Sequence, residues 1–417
     1  MANIELRYGD THFYFDHDPS RFEVVAPRPA PPPLTDAEIG RRFDEPIGSA
    51  PLDEIIKHGD KILIVVPDAT REAACGQVVN LLVRRLIAAG VGAADLSIIF
   101  ATGIHRPVSP QERSEILTPF IAQRIRTIDH APRDITRLIR IGETEGGVPI
   151  ELNRALFEHD LVILIGGVSF HYFAGFTGGR KLVCPGLAST RTIAGTHKIA
   201  FDCEKMSRRD GVGPGLLGGN PVHEAFVEAA SHANPGFLFN TIVDDHGALI
   251  DLYCGDWLAS HENASSKFNE RNSVAVNGKR TLVIASCGGY PYDINMIQAH
   301  KTFDAATRAC EEGGTVILLA ECRDGLGRDD FLKWFDVENS GDLAIRLCGS
   351  YQVNGQTAWS LLTKAERFEV RIVTELAETK TAAMRMQKFG SLAAALEGLD
   401  SRSGYILPSA ARLKIDA

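Results

Sequence analysis

One stretch of the chain, GFTGGRKLVCPGLASTRTIAGTHK at 175–198, concentrates residue types that bind anions, form covalent bonds and ligate metals. Its paired glycines let backbone N–H groups approach an anion closely, and the adjacent Arg180 and Lys181 add positive charge. His197 follows and can serve as a base or a metal ligand. The stretch predicts a phosphate-like cradle, although it lacks the GxxxxGKS pattern of P-loop enzymes and, taken alone, fits a tight turn equally well.

Other polar clusters also follow apolar runs. PDATR after ILIVV supplies Asp68 and Arg71, and the planar fork of Arg71 suits a carboxylate. ATGIHRP after LSIIF supplies His105, and GGVSFHYF after LVILI supplies His171. Ligands of open α/β sheets bind beyond the carboxyl ends of the strands, so these side chains are candidates for general acid–base chemistry. The plain alternatives are an arginine that caps a turn and histidines that only support the fold.

A similar cluster, GGYPYDINMIQAHK, follows the apolar run TLVIAS later in the chain. It supplies Tyr290, Gln298 and Lys301, and the spacing of the last two places them on one face of a helix. We expect Lys301 to meet a substrate carboxylate or carbonyl across a cleft between domains. A solvated helix surface is the alternative.

The three loop histidines are too far apart in sequence for a local zinc site, and no HExxH motif occurs. A metal held by one of these histidines would therefore need its other ligands from a cofactor.

The elements that must position these residues alternate between short β-rich runs and helical stretches. Strands are predicted at 61–67, 96–101 and 161–165, with a helix through 78–90. Such alternation is typical of βαβ units. The fold class is therefore predicted to be α/β, with two α/β domains, mostly parallel sheets and an active-site cleft between them.

The predicted domain boundary lies where a polar helical stretch at 256–280 precedes a fresh series of strands. Residues 1–268 are expected to form an N-terminal α/β domain that carries the cofactor loop and the catalytic histidines. Residues 269–417 are expected to form a C-terminal α/β domain that closes the cleft. Helix starts are predicted from two capping boxes, one at Thr35 and Glu38 and one at Ser109 and Glu112.

Composition narrows the class of protein. The chain has 417 residues, 44% hydrophobic and 23% charged, which is ordinary for a globular protein of about two or three domains. Its formal net charge of -9 argues against a nucleic-acid surface, and its apolar runs are too short to cross a bilayer. The eight cysteines form no CxxC pair and the N-terminus has no signal-peptide pattern, so we expect a cytoplasmic protein with mostly buried, inert thiols.

Taken together, the motifs resemble the lactate racemase family, the nickel-pincer-nucleotide-dependent racemases and epimerases of 2-hydroxy acids. The resemblance extends from about residue 60 to 310 and is carried by PDATR, ATGIHRP, HYFAGFTGGRK, PGLAST, THK and QAHK in their family order. The ordered set is specific, whereas each motif alone is weak. The loop departs from the family pattern at Thr177, where the family has serine, and at Cys184.

The resemblance implies a role for each matched residue. Lys181 matches the lysine joined covalently to a nickel-pincer nucleotide, the nickel complex of pyridinium-3-thioamide-5-thiocarboxylic acid mononucleotide, and His197 matches the protein ligand of the nickel. His105 and His171 match the two catalytic acid/bases. Arg71, Gln298 and Lys301 match substrate-binding positions, with Trp359 as a loose candidate. From their own place in the motifs, further residues are expected at the cofactor, namely Asp68, Thr177, Gly178, Gly179 and Arg180, and Tyr290 is expected at the substrate.

The implied activity is racemisation or epimerisation of a 2-hydroxy acid by reversible hydride transfer through a 2-keto acid. The implied partners are a small 2-hydroxy acid and the proteins that make the cofactor, with no nucleic acid and no membrane. Two other interpretations stay open at this point. One is a hydrolase or dehydratase whose metal is bound directly by the histidines. The other is a non-catalytic carrier of the nucleotide, against which the presence of two bases counts.

Overall fold

The computed structural model describes residues 1–399 and 403–416. Its first strands are β1 (Ala2–Tyr8), β2 (Thr11–His17), β3 (Phe22–Val24), β4 (Ile62–Pro67), β5 (Leu96–Ala101), β6 (Arg126–Asp129), β7 (Leu138–Glu143), β8 (Pro149–Asn153), β9 (Leu161–Gly167), β10 (Phe170–His171) and β11 (Gly175–Phe176). The later strands are β12 (Phe201–Asp202), β13 (Ser207–Arg208), β14 (Phe237–Val243), β15 (Leu249–Gly255), β16 (Ser273–Ala275), β17 (Arg280–Ser286), β18 (Cys310–Leu319), β19 (Glu369–Val373), β20 (Gln387–Phe389), β21 (Gly404–Leu407) and β22 (Lys414–Asp416).

The α-helices are α1 (Asp36–Phe43), α2 (Leu52–Ile55), α3 (Cys75–Ala88), α4 (Pro110–Leu117), α5 (Pro119–Arg124), α6 (Thr190–Lys198), α7 (Pro221–Ser231), α8 (Ala259–Asn272), α9 (Met296–Ala309), α10 (Ser340–Gly349), α11 (Val353–Ala365), α12 (Glu378–Ala383) and α13 (Leu392–Leu396). Both predicted capping boxes are formed, at the starts of α1 and α4. Among the described residues, no helix has the length and apolar character needed to span a membrane.

The chain divides into two compact units. The N unit contains Pro29–Ala200 and Asp210–Phe268, and the C unit contains Met1–Arg28, Phe201–Arg209 and Asn269–Ala417. A division at residues 268 and 269 therefore coincides with one of the structural boundaries, but two earlier segments lie in the C unit. The reason is strand pairing and packing over long sequence distances, which no local pattern encodes. The assignment of cofactor binding to one domain and closure to the other stays a prediction.

The N unit is built on a six-stranded sheet with the order β15-β14-β9-β4-β5-β6. All neighbours in it are parallel except β14 and β15. Every residue of β4 is buried, as expected for a parallel strand covered on both faces. The core includes Ile64 and Ile163 from the sheet and Val79 from α3.

The C unit is built on a second six-stranded sheet with the order β20-β19-β18-β17-β21-β3, in which all neighbours are parallel. Its edge strand β3 comes from the N-terminal part of the chain. The prediction of an α/β fold with mostly parallel sheets is confirmed.

The segment 201–209 is tied to the C unit by three kinds of contact. Cys203 forms a disulfide with Cys348, at the end of α10. The ring of Phe201 packs on Trp359 at 4.8 Å between centroids. Arg208 forms an ion pair of 3.2 Å with the buried Asp304. The other six cysteines are free and buried.

Candidate active site

Three neighbouring parallel strands of the N unit bring the predicted polar residues to one edge of the sheet. The strands β9, β4 and β5 are adjacent, and Pro67 at the end of β4 lies opposite Ala101 at the end of β5. Asp68 follows β4, His105 lies in the loop after β5, and His171 lies in the short hairpin after β9. The common edge follows from the parallel arrangement, in which all carboxyl ends lie on the same side.

Asp68 and His105 form a close pair. Nδ1 of His105 lies 2.6 Å from one carboxylate oxygen of Asp68, and the other oxygen accepts hydrogen bonds from the backbone N–H and hydroxyl of Thr70 at 2.9 and 2.5 Å. Asp68 is buried, whereas the side chain of His105 is 36% exposed. Burial raises the pKa of Asp68, but the charges of His105 and Arg71 and these hydrogen bonds outweigh it and hold that pKa well below its usual range.

The pair determines the tautomer of His105. An ionised carboxylate only accepts hydrogen bonds, so Nδ1 of His105 carries a proton and donates it to Asp68. In the neutral ring, Nε2 then holds a lone pair and can accept a proton. This geometry makes Asp68 the partner of His105, a contact that its predicted role at the cofactor did not include. Arg71 follows in the same turn, where its guanidinium donates to the backbone carbonyl of Thr70 at 3.0 Å.

His171 holds its proton on the opposite nitrogen. Its Nδ1 accepts hydrogen bonds from the backbone N–H groups of Phe173 and Ala174, both at 3.2 Å. The neutral ring therefore carries its proton at Nε2. The hairpin that holds His171 turns at 172–174, and Gly175 pairs with His171 in the next strand. The φ of Gly175, +77°, favours glycine, and a Cβ there would lie 2.0 Å from the carbonyl oxygen of Leu216.

Lys181 and His197 share one aromatic neighbour, Phe226 of α7. The ammonium nitrogen of Lys181 lies 5.0 Å from the centroid of the Phe226 ring, and the His197 ring lies 5.2 Å from it. The ring of Phe173 is near both His171, at 6.0 Å, and His197, at 6.3 Å. Aromatic residues thus connect the predicted attachment lysine, the predicted metal ligand and one of the predicted bases.

His197 is presented as a neutral imidazole. It lies in the last turn of α6, where its Nδ1 donates to the carbonyl of Ile193 at 2.8 Å. Burial, together with the nearby charge of Lys181, lowers the pKa of His197 to about 3. Nε2 therefore has a lone pair, the form in which imidazole binds metals.

The glycine loop is held firmly against β9. The hydroxyl of Thr177 donates to the carbonyl of Gly167 at 2.7 Å and accepts from the backbone N–H of Ser169 at 2.8 Å. Gly178 and Gly179 have φ values of +73° and +54°, which other residues rarely adopt. The Arg180 side chain, predicted from sequence to add charge for a ligand, is fully buried and donates to backbone carbonyls of this loop.

In the C unit, Gln298 and Lys301 lie on one face of α9 as predicted. The Lys301 ammonium donates to Oε1 of Gln298 at 2.6 Å. Tyr290 precedes the helix, and the guanidinium of Arg323 lies over its ring at 5.1 Å. The loose candidate Trp359 belongs to the hydrophobic packing around Phe201.

Two protein-family models match the chain. The lactate racemase N-terminal domain matches residues 8–208, and the lactate racemase C-terminal domain matches residues 276–405. The chain is also 31% identical to the lactate racemase of Thermoanaerobacterium thermosaccharolyticum, over 80% of this chain and 78% of that protein. It belongs to the lactate racemase family.

Further relatives agree with membership of the lactate racemase family. The chain is 34% identical to the lactate racemase of Lactiplantibacillus plantarum over 70% of this chain and 68% of that protein. The solved lactate racemase apoprotein from T. thermosaccharolyticum superposes with a TM-score of 0.88 at 26% identity, with all of both chains covered. A Thermotoga maritima protein of 20% identity shares the fold, with a TM-score of 0.74 over 93% of this chain and all of that one. The chain is an isomerase of the racemase type.

Two residues near these lactate racemase motifs were not found by sequence reasoning. Phe226 lies in an ordinary amphipathic helix and reads only as a core position. His261 lies in the polar helix α8, yet it is completely buried against the glycine loop. Neither carries a local signal, because both contact the site through folding over long sequence distances.

Proposed function

We propose that this chain is a racemase or epimerase of 2-hydroxy acids that works with a nickel-pincer nucleotide attached to Lys181. The observation that carries the proposal is the placement of the Lys181 amine and the neutral His197 imidazole beside the same Phe226 ring. Family membership supports it, because the matched relatives are named lactate racemases.

The residues present fit such a group. A cofactor that brings a carbon and two sulfurs to the nickel needs from the protein one amine for attachment and one neutral nitrogen ligand. Lys181 supplies the amine, and Nε2 of His197 supplies the lone pair, since Nδ1 is bound to Ile193. Among residues 1–399 and 403–416, no group of three or more histidine, cysteine, aspartate or glutamate residues could hold a metal. The alternative of a hydrolase with a directly bound metal therefore lacks a ligand set there.

When bound, the nucleotide would supply a reversible acceptor for the hydrogen on C2 of the substrate as hydride. The protein must then manage the hydroxyl proton and hold the substrate. His105 would take the proton of one enantiomer at Nε2, and the carboxylate of Asp68 would stabilise the imidazolium that forms. The product of this half-reaction is a planar 2-keto acid.

Inversion requires a second acid/base, because the hydroxyl points to different sides in the two enantiomers. His171 would serve the second geometry after the keto acid rotates, and its Nε2–H can hydrogen-bond to the substrate oxygen. It would return a proton from its imidazolium form, because a neutral ring that gave up its only N–H would become an imidazolate. Arg71 would bind the substrate carboxylate, with Gln298, Lys301 and Tyr290 as further proposed contacts. Gly178 and Gly179 would cradle the nucleotide phosphate through backbone N–H groups. Thr177, whose own N–H donates to the carbonyl of Ser169 at 2.8 Å, would hold the loop in place beside the cofactor.

The attachment is tested by producing the protein together with the cofactor-making proteins and measuring its intact mass. The wild-type protein is expected to carry a nucleotide-sized adduct on the peptide that contains Lys181. Lys181→Ala should remove the adduct, whereas the control Lys198→Ala, at an exposed lysine of α6, should keep it. Full adduct on Lys181→Ala would overturn the attachment.

The metal ligand and the substrate need separate measurements. His197→Ala should keep the organic adduct and lose nickel, so unchanged tight nickel would contradict its role. A panel of single enantiomers, including lactate, malate, aromatic and sugar acids, should show interconversion by chiral chromatography for at least one 2-hydroxy acid. No conversion of any member by adduct-bearing protein would contradict the racemase proposal for this substrate class.

A further inference from the structure

Arg180, next to Lys181, is a fully buried cation. Its guanidinium donates to the carbonyl of Phe176 at 3.0 Å and to the carbonyl of Ala174 at 2.5 Å. Its Nε has no hydrogen-bond partner, and within the described part of the chain the guanidinium forms no ion pair with a carboxylate. Burial of an arginine in this way is costly, because carbonyl dipoles replace only part of the lost hydration.

His261 of α8 contacts both Arg180 and the glycine loop. Its Nε2 lies 2.9 Å from the carbonyl oxygen of Thr177 and 3.1 Å from Nη1 of Arg180. The ring also lies against Gly179, where an added Cβ would be 2.5 Å from it. His261 therefore contacts the glycine loop at Thr177 and Gly179, and it also lies against the guanidinium of Arg180, the residue before Lys181.

The proton of His261 can be assigned from these neighbours. A lone pair at Nε2 would face the lone pairs of the Thr177 carbonyl, and Nδ1 would then hold a buried proton without a partner. With the proton at Nε2, the ring donates to Thr177, Nη1 of Arg180 lies beside it without a hydrogen bond between the two, and Nδ1 is left as an unpaired acceptor. His261 is therefore a neutral donor to the loop.

We propose that His261 and Arg180 together position the loop that presents Lys181 for attachment of the cofactor. They bind three carbonyls of the loop, those of Ala174, Phe176 and Thr177, and thereby fix the backbone that leads into Lys181. His261 is a positioning residue, because it acts through the loop. The inference rests on the proposed function, since it assigns the loop a purpose only if Lys181 carries the nucleotide.

The test compares His261→Phe, which fills similar space without a donor, with His261→Gln, whose side-chain amide can still donate to Thr177. His130→Phe is the matched control, because His130 is another buried histidine of the N unit that binds a backbone carbonyl, that of Ala188 at 3.0 Å. Hydrogen exchange of the amides at 174–183 is measured on protein made without cofactor. Adduct occupancy is measured on protein made with it.

His261→Phe should accelerate exchange at 174–183 by about tenfold, the effect of losing roughly one net hydrogen bond, and should lose most of the adduct. His261→Gln should restore both, and His130→Phe should leave exchange at 174–183 unchanged. Wild-type exchange rates and full adduct in His261→Phe would overturn the inference. Equal acceleration in His130→Phe would also overturn it, because the effect would then be general destabilisation.

Two further arms keep the outcomes separate. If His261→Phe does not fold, Gly179→Ala disturbs the same contact, and Gly219→Ala serves as its control because Gly219 also has a positive φ, +72°, while a Cβ there meets no atom within 4 Å. Gly179→Ala should speed exchange at 174–183 more than Gly219→Ala does; equal behaviour would overturn the inference. If wild-type protein carries no adduct, the proposed function fails, while the exchange measurement still decides whether His261 holds the loop.

Discussion

Asp68 places a carboxylate oxygen 2.6 Å from Nδ1 of His105, whereas the same ring atom of His171 accepts two backbone N–H groups. The two histidines at the edge of one sheet therefore keep their protons on opposite nitrogens. In its neutral form His105 has a lone pair at Nε2 with a carboxylate behind it, and neutral His171 has an N–H at Nε2. The two proposed acid/bases therefore differ in proton position before substrate binds.

Replacing Asp68 by asparagine should slow the half-reaction that uses His105 by about 10²-fold, because the imidazolium loses its counter-charge. The overall kcat/KM must fall by one common factor in both directions, since a catalyst cannot shift the equilibrium. Rapid mixing of adduct-bearing protein with each pure enantiomer separates the two halves. Equal slowing with both enantiomers would contradict the pairing of Asp68 with one base.

The two histidines should be separable by the same measurement. His105→Asn and His171→Asn should each abolish net racemisation, because turnover needs a proton taken on one side and returned on the other. In the half-reaction, each variant should keep its rate with one enantiomer and be slowed by about 10²- to 10⁴-fold with the other. If both variants were slowed with the same enantiomer, the two bases would be misassigned.

The Asp304 carboxylate should be a major contributor to the stability of the C unit. It is buried and lies 2.9 Å from Lys364, 3.2 Å from Arg208 and 3.4 Å from Arg308. Asp304→Asn leaves the half-buried ammonium of Lys364, which still donates to Ser360, without a carboxylate partner, so the free energy of unfolding should fall by up to about 3–5 kcal/mol in urea titration. Glu312→Gln, which removes an exposed ion pair with Arg367, should leave the urea midpoint nearly unchanged.

The pH dependence of Asp304 has a defined sign. Burial raises its pKa, but the charges of Lys364, Arg208 and Arg308 outweigh burial and hold the pKa well below its usual range. The carboxylate therefore stabilises the fold above the unfolded-state pKa of about 4, and this contribution is lost as the pH falls through the folded-state value. The difference between wild type and Asp304→Asn should narrow on acidification, and a widening gap would contradict the assignment.

The disulfide between Cys203 and Cys348 should be detectable and stabilising. It closes a loop with a sequence separation of 145, so chain entropy sets an upper limit of about 5 kcal/mol. Reductant should lower the unfolding midpoint of the wild type and should leave the unfolding midpoint of Cys203→Ser unchanged. A non-reduced protein whose mass includes both thiol hydrogens would show that the bond does not form.

Local chemistry was sufficient to predict much of the framework. The apolar run at 62–66 is a buried strand, since a short run rich in β-branched residues is typical of a parallel strand covered on both faces. The capping boxes at Thr35 and Ser109 form because their contacts span only three residues. Lys181 and His197 were predicted from motif order, and the structure places both beside one ring.

Tertiary structure decided which residues became neighbours across long sequence distances. The sequence alone determined the α/β class, the strand-end position of the polar clusters and the resemblance to one family. Only the fold paired Asp68 with His105 and placed Phe226 beside both Lys181 and His197. It also packed His261 against the glycine loop. It also joined the segment 201–209 to the C unit. These contacts depend on which strands and helices pack together, and packing is determined by the whole core rather than by any short pattern of residues.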